Sequence, residues 1–501
     1  MAQQIGIQTS SGLVKFGGGS GGGHTIVDDS GTSMTQRSNL KFVGATITDD
    51  ATNDMTIVET GGGVTPMEIT VTTLPNKTSY SAGDLLDLTG LRVDMLFTDG
   101  SVRDITADAV YTPAAGTALT MSNTSVTVNY ASYTKSFNIT VTPPIYGVEW
   151  DGTSTTVWSR TDKAENFVDP NPYYSGITTT PSSPFDNISP WKDMVKSERT
   201  GGTMVSIPKF YYKWTKSGKV MKLQIVPGDY ADWAIANGYS ISPAHMDRGD
   251  GKGERDVIYV GRYHCSSSNY KSATGVAPKV NITRATARSA ISALGSTIWQ
   301  YDYATLITIW MLYLVEFADW NSQNKIGGGC SATTASSSAV YNMGYTDSMP
   351  YHTGTVSSSI SRTVYGGTQY RYIEGLWDNC YDWCDGIYFS SANIYAIKNP
   401  ANFSDTANGT LVGTRPTSSN YISEFSFSSV TGFEYFLYPS AVSGSESTYI
   451  SDYCGYFSSG VALRVGGYYY QVQFYGLFCL CGYDSASDSY DYVGSRLLEL
   501  P

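Results

Sequence analysis

The sequence predicts a multidomain chain, mostly β with an α+β C-terminal domain, and three observations carry that reading. At 501 residues, the chain exceeds what one hydrophobic core usually organises. Its first third is written in short alternating apolar and polar runs broken by Asp, Asn and Gly turns, the pattern of hairpins and small sandwiches. Helical periodicity occurs twice, both times beyond residue 280, inside a region rich in Gly, Ser, Tyr and Trp. Charged residues make up only 15% while 41% are hydrophobic, with 39 Tyr and 51 Gly. That balance describes a folded, Tyr-rich chain rather than a disordered one.

The elements follow in order. Residues 1–23 end in GGGSGGG and read as a flexible tether. Residues 24–63 carry the runs HTIVD, NLKFVGATI and MTIVE between turn clusters, a small β-hairpin piece for attachment and oligomerisation; it is too short to bury a core of its own and calls for a partner chain. Residues 64–144 hold MEITVTTLP, LRVDMLFTDGSVRDI, SVTVNYA and KSFNITV, the segments of a β-sandwich, with Thr98–Ser101 as a hairpin turn and Pro143 and Pro144 as a stiff link. In residues 145–501, Asn281 or Thr283 can cap a helix that runs to Gly295. A second helix places Tyr303, Leu306, Ile307, Trp310, Leu314 and Phe317 on one wide apolar face.

Charge and motif content exclude several functions. A net charge of −12 offers no basic patch, so neither nucleic acid nor an anionic membrane is an expected partner. The opening MAQQIGIQTSSG has no secretory pattern, which points to synthesis in a cytoplasm. The longest apolar stretch, Tyr303–Phe317, is too short to span a bilayer, so no membrane insertion is expected. Seven Cys without CxxC spacing argue against a disulfide framework and a zinc site. The four His (24, 245, 264 and 352) are scattered and no G-x-S-x-G occurs. Acidic pairs such as Asp247 with Asp250 and Asp378 with Asp382 read as solvated loop residues. No catalytic residue, metal or cofactor is expected.

Two resemblances emerge from particular blocks. In its ITVTTLP opening, FTDGS hairpin and FNITVTPP ending, residues 64–144 resemble bacterial immunoglobulin-like domains. The blocks NITRATARSAISALGSTIWQYDY, LVEFADWNSQNKIGGG, YRYIEGLWDNCYDWCDGIYF and VGSRLL together resemble C-type-lectin-like domains of the formylglycine-generating-enzyme type, found in phage tail fibres and in the variable proteins of diversity-generating retroelements. That resemblance implies a receptor-binding, tail-fibre-type protein of a virion that docks on a host bacterial surface receptor, joins other virion tail proteins through its N-terminus and forms a homotrimer. A bacterial surface adhesin of the same fold is the alternative, and an oxidative enzyme of the fold a third reading. The enzyme branch uses a copper-binding cysteine pair, but neither Cys380 with Cys384 nor Cys479 with Cys481 lies in such a motif. Trp377, Asp378 and Asn379 resemble a lectin calcium triplet without its partner tripeptide and read as a buried scaffold turn.

The stretch from Tyr449 to Val493 has a composition of its own. It contains ten Tyr, six Ser, four Asp and three Cys, one Arg, and no Lys, Glu or Asn. Replacing adenines in an AAC codon yields nearly this vocabulary and never Lys, Glu or a stop. The window therefore resembles the variable region of a retroelement-diversified protein, with Gln471 and Gln473 outside that vocabulary. Mixtures of Tyr and Ser also suit a binding face. The candidate ligand-binding residues are Tyr449, Asp452, Tyr453, Cys454, Tyr456, Tyr468, Tyr469, Tyr470, Gln471, Gln473, Tyr475, Cys479, Cys481, Tyr483, Asp484, Tyr490 and Tyr492. Alternation within LFCLCGYD is expected to turn Phe478 and Leu480 inward and Cys479 and Cys481 outward, as free thiols.

Overall fold

A computed structural model describes residues 64–501 apart from 330–339, 363, 365 and 471–473, and, ahead of residue 64, five short strands. The chain divides into two compact units, Met1–Thr142 and Pro143–Pro501, and strands dominate both.

Residues 1–23, expected as a tether, contain two paired strands. Ile5–Thr9 runs antiparallel to Gly12–Gly18, and His24–Ile26 joins as a third strand. Alternation in IGIQT and VKFG favours strands here, and the glycine spacer begins inside one of them. Ala45–Asp50 and Met55–Thr60 form an antiparallel hairpin. Most of the rest of 24–63 lies outside the described residues.

From residue 64 the first unit is a sandwich. Pro66–Thr73 pairs with Arg92–Phe97, which pairs with Val102–Asp104. Val110–Thr112, Ser125–Tyr130 and Tyr133–Asn138 form a second sheet, and Ser79–Ser81 runs parallel to Thr140–Thr142. Alternation is faithful on Ser125–Tyr130: Val126 and Val128 are fully buried and meet Val93, Met95 and Phe97 in one core. At the Thr98–Ser101 turn, Gly100 takes a φ of 76°, and Asp99 Oδ1 accepts from the Ser101 amide at 2.9 Å.

The second unit is organised by the helix Tyr303–Phe317. Asp302 caps it, its Oδ1 accepting from the Thr305 amide at 2.9 Å, and Ala318 ends it in the left-handed region. Every residue of this helix is buried, which corrects the expectation of a single apolar face. It packs against the strands Tyr146–Trp150 and Val220–Pro227, while Trp310 meets Phe425 and Phe478 at ring distances of 5.6 and 5.2 Å. Glu316 is tolerated inside because Tyr370 and Ser183 donate hydroxyls to it at 3.0 and 2.8 Å and Arg371 donates from Nε at 3.0 Å. The earlier helix, Arg284–Ser292, starts at Thr283, whose hydroxyl accepts from Thr286. It stops before Gly295, with Ala293 as its C-cap.

Two sheets frame the C-terminal half. One has seven strands in the order Leu437–Val442, Asn420–Phe427, Tyr453–Tyr456, Leu480–Asp484, Ala462–Val465, Tyr381–Cys384 and Val493–Gly494. The last strand, Arg496–Glu499, lies between Val257–His264 and Ile298–Gln300 in the other. Arg496 is fully buried and reaches the Asp382 carboxylate at 2.9 Å and four backbone carbonyls at 2.9–3.1 Å. His264 Nδ1 holds the other Asp382 oxygen at 2.8 Å. Asp378 and Asp382 are therefore interior residues, not the solvated loop acids expected. Trp377, Asp378 and Asn379 form a buried turn: Trp377 Nε1 donates to the Gly327 carbonyl at 3.1 Å, Thr368 donates its amide and hydroxyl to Asp378, and Asn379 exchanges bonds with the Tyr341 backbone.

Candidate functional site

The Cys479–Cys481 run explains how the window is built. Leu480 and Phe478 enter the main core, while Cys479 and Cys481 turn the other way, as period-2 geometry requires. That other side is not solvent. Tyr381, Trp383, Ala462 and Val493 join the two cysteines in a small second core, and Tyr468, Tyr475, Tyr483, Tyr490 and Tyr492 pack over it as a roof. Cys479 is 0% and Cys481 2% exposed, which corrects the expectation that they face outward. Alternation assigns faces, but the roof makes both faces dry.

The roof is a belt of half-buried rings drawn from four segments. Tyr453 lies opposite Tyr421 in the cross-strand register, with rings 5.7 Å apart. Tyr453 meets Tyr475 at 6.3 Å, Tyr475 meets Tyr468 at 6.3 Å, and Tyr468 meets Tyr492 at 4.6 Å. Tyr490 stacks on Tyr492 at 5.1 Å. Tyr470, 54% exposed, extends the belt from Tyr468. Tyr381 lies underneath, 5.3 Å from Tyr468 and 5.4 Å from Tyr475. The chain enters the Tyr468–Tyr470 turn through Gly466 and Gly467, where a Cβ would stand 2.4 and 2.6 Å from the carbonyl oxygens of Leu376 and Trp377. Only glycine lets the turn pass this close to the GLWDN backbone.

Charge beneath the belt is paired rather than displayed. Arg464 is buried, 3.2 Å from Asp484, and its guanidinium lies 4.6 Å from the Tyr381 ring centre and 5.5 Å from that of Tyr492. Asp452 accepts from the Phe478 amide at 2.8 Å and lies 3.7 Å from Arg362. Burial pushes the Asp452 carboxyl up to about 7, with Arg362 and the Phe478 amide opposing. Burial also raises the phenols of Tyr453, Tyr468 and Tyr490 to about 12. These hydroxyls stay protonated across the physiological range and present neutral groups that can both donate and accept.

The structure thus brings Tyr453, Tyr468, Tyr470, Tyr475, Tyr490 and Tyr492 together, with Tyr469 attached through Tyr468 at 5.7 Å but itself buried. Tyr456 and Tyr483 form an adjoining patch around Ser419, which donates to the Tyr456 carbonyl at 3.1 Å and lies 2.9 Å from the Tyr483 hydroxyl. Asp452, Cys454, Cys479, Cys481 and Asp484 are buried and support the face instead of forming it, because strands and rings cover both sides of the sheet around them. Tyr449 stands elsewhere: its amide donates to the Ser154 carbonyl at 3.0 Å and Lys219 lies over its ring. Gln471 and Gln473 lie outside the described residues. Sequence reasoning missed Tyr421, Tyr381 and Phe474. The first two lie outside the biased window and carry no compositional signal, and Phe474 lies inside it, 6.1 Å from Tyr475.

Both close cysteine pairs lie in the interior. Cys380, Cys384, Cys479 and Cys481 are free and buried, and burial raises all four thiols, so they remain protonated.

Comparison with known proteins reaches the first unit. Residues 73–141 match the family model of a bacterial Ig-like domain (group 3). This segment is an Ig-like domain. No curated protein matches the chain significantly. The Ig-like segment includes the Asp99 turn and the Val126 and Val128 strand, and a further turn in which Asp104 accepts from the Thr106 amide at 2.9 Å. Among the described residues no helix is long and apolar enough to cross a membrane.

Proposed function

We propose that the chain is a receptor-binding protein of the phage tail-fibre type, in which an Ig-like spacer carries a C-type-lectin-like domain whose Tyr/Ser-rich face binds a host-surface ligand. The observation that carries this reading is the belt itself: rings from separated segments converge on one half-buried surface while the charges beneath them are paired internally. Large, rigid, amphipathic tyrosines offer contact area at low entropic cost. The compositional bias of residues 449–493 supports diversification by adenine-directed mutagenesis, and the buried Arg496 and Arg371 networks supply a frame that tolerates changes above it. Function rests on binding rather than catalysis. Assembly as a homotrimer through residues 24–60 adds avidity to a weak single contact.

Sequencing this gene across sibling isolates tests the reading. Differences are expected to cluster at window codons reachable from AAC, Tyr468, Tyr470, Tyr490 and Tyr492 among them, with Arg464-type interior positions unchanged. Differences spread evenly along residues 145–501 would overturn it. Light scattering checks the assembly: a trimer mass is expected, and a monomer at micromolar concentration removes the avidity argument.

A further inference from the structure

Resting on the binding reading above, the geometry points to a cationic polypeptide, a surface segment rich in Arg or Lys, as the partner that the tyrosine belt accepts. The window supplies four Asp, one Arg and no Lys or Glu. That Arg is Arg464, only 9% exposed and already 3.2 Å from Asp484, so it offers no free positive charge to an incoming anion. Charges of both signs act on the belt's phenols, and the leading ones on Tyr421 and Tyr492 are the guanidinium groups of Arg362 and Arg464. Anions reach the belt from Asp491 beside Tyr469, from Asp488 and Asp484 beside Tyr490, and from Glu446 beside Tyr421. The cations among those influences are Arg464 and Arg362, both buried.

Two independent features then select the same ligand charge. Ring faces attract a guanidinium or ammonium through their quadrupole, at a strength that grows as the site is desolvated. The Asp488 and Asp491 carboxylates lie at the rim, half-exposed, where charge governs encounter and partner choice more than packing. Asp488 is held in place by the Ser485 amide at 2.8 Å and hydroxyl at 2.9 Å, so its charge is fixed beside Tyr490. A polyanionic surface polymer would meet like charge at the rim and find no exposed cation in the window. A neutral glycan could stack on the rings but would leave the rim acids without a partner.

The test uses the full chain and three probes: hexa-arginine, hexa-glutamate and maltohexaose. Binding is followed by calorimetry, and the contact is located by protection of Tyr470 and Tyr492 from nitration by tetranitromethane, read by mass spectrometry. Hexa-arginine is expected to protect both tyrosines. Asp491→Asn, and Asp488→Asn with Asp491→Asn, are expected to weaken it by roughly threefold or more, while Asp229→Asn with Asp232→Asn, exposed acids outside the window, leaves it unchanged. Tryptophan fluorescence confirms that each variant is folded. Hexa-arginine binding that weakens equally in the Asp229 and Asp232 variant, or that leaves Tyr470 and Tyr492 unprotected, is attraction to the net negative chain and overturns the inference. Protection by maltohexaose or hexa-glutamate but not hexa-arginine also overturns it and leaves the binding face standing. If chain adsorbed on receptor-bearing cells shows no protection of the two tyrosines, the binding reading itself falls.

Discussion

The interior around Arg496 and the belt around Tyr468 are built by opposite rules. Arg496 spends its donors on one carboxylate and four carbonyls, and Glu316 is met by Arg371, Tyr370 and Ser183. Each partner there is specific in position and chemistry. The belt rings instead meet at centroid distances of 4.6–6.3 Å without needing a particular donor for each ring. Directional interiors resist substitution, whereas a roof of rings tolerates it, and one strand touches both: on Tyr381–Cys384, Asp382 pairs with Arg496 and the Tyr381 ring underlies Tyr468 and Tyr475.

The largest effects are expected where the directional network is broken. Arg496→Ala leaves Asp382 buried with only His264 beside it and is expected to cost about 3–5 kcal/mol. Trp310→Ala, which removes a ring packed on Phe425 and Phe478, is expected to cost about the same. All ten Trp lie beyond Thr142, so tryptophan fluorescence in a denaturant titration reads the second unit alone. A loss below about 1 kcal/mol at both positions would break the comparison.

A pH-dependent effect comes next. Burial raises the Asp452 carboxyl from an ordinary 3.8 to about 7 in the folded state, so between these values the folded state holds a proton that the unfolded chain releases. Its contribution is full below about pH 4 and is lost as pH rises toward 7. Relative to wild type, Asp452→Asn is expected to gain stability across that window. Glu374, raised to about 7 by burial, titrates in the same window, and Glu374→Gln removes its share. Parallel stability curves for wild type and Asp452→Asn from pH 4 to 8 would show that Asp452 is not the group responsible.

The smaller effects grade the belt. Tyr475→Ser, half-buried over Tyr381, is expected to cost about 1–2 kcal/mol, and the exposed Tyr470→Ser less than about 0.5 kcal/mol. Equal costs would erase the distinction between roof and rim. Cys454, Cys479 and Cys481 are expected to react with a thiol reagent only after unfolding, because all three are buried and free. Prompt labelling of any of them in the native protein would contradict the roofed core.

What the sequence disclosed depended on whether a feature was local. The Thr98–Ser101 turn, the Thr283 cap and the Val126 and Val128 alternation are set by residues adjacent in the chain, and they were legible. The tyrosine bias announced a surface, but composition cannot say which rings meet. Tyr381 and Tyr421 join the belt through sheet register, and Tyr449 leaves it through a contact with Ser154. Cys479 and Cys481 followed the predicted alternation yet ended buried, since a second layer supplied by Tyr468, Tyr475, Tyr490 and Tyr492 covered the outer face. Asp378 and Asp382 looked like solvated acids because their partners, Thr368, His264 and Arg496, are remote in sequence.

Binding and stability measured together on one triple variant test the central claim most directly. Tyr470→Ser, Tyr490→Ser and Tyr492→Ser are combined in the full chain. Adsorption to receptor-bearing bacterial cells, chosen by screening the wild-type chain, is compared with the fluorescence-monitored unfolding free energy. Binding is expected to fall by more than about tenfold while the two roof rings and one rim ring together cost about 2–4 kcal/mol and leave the second unit folded. Unchanged binding, or a loss of binding that merely tracks unfolding of the second unit, would contradict the assignment of the belt as the binding face.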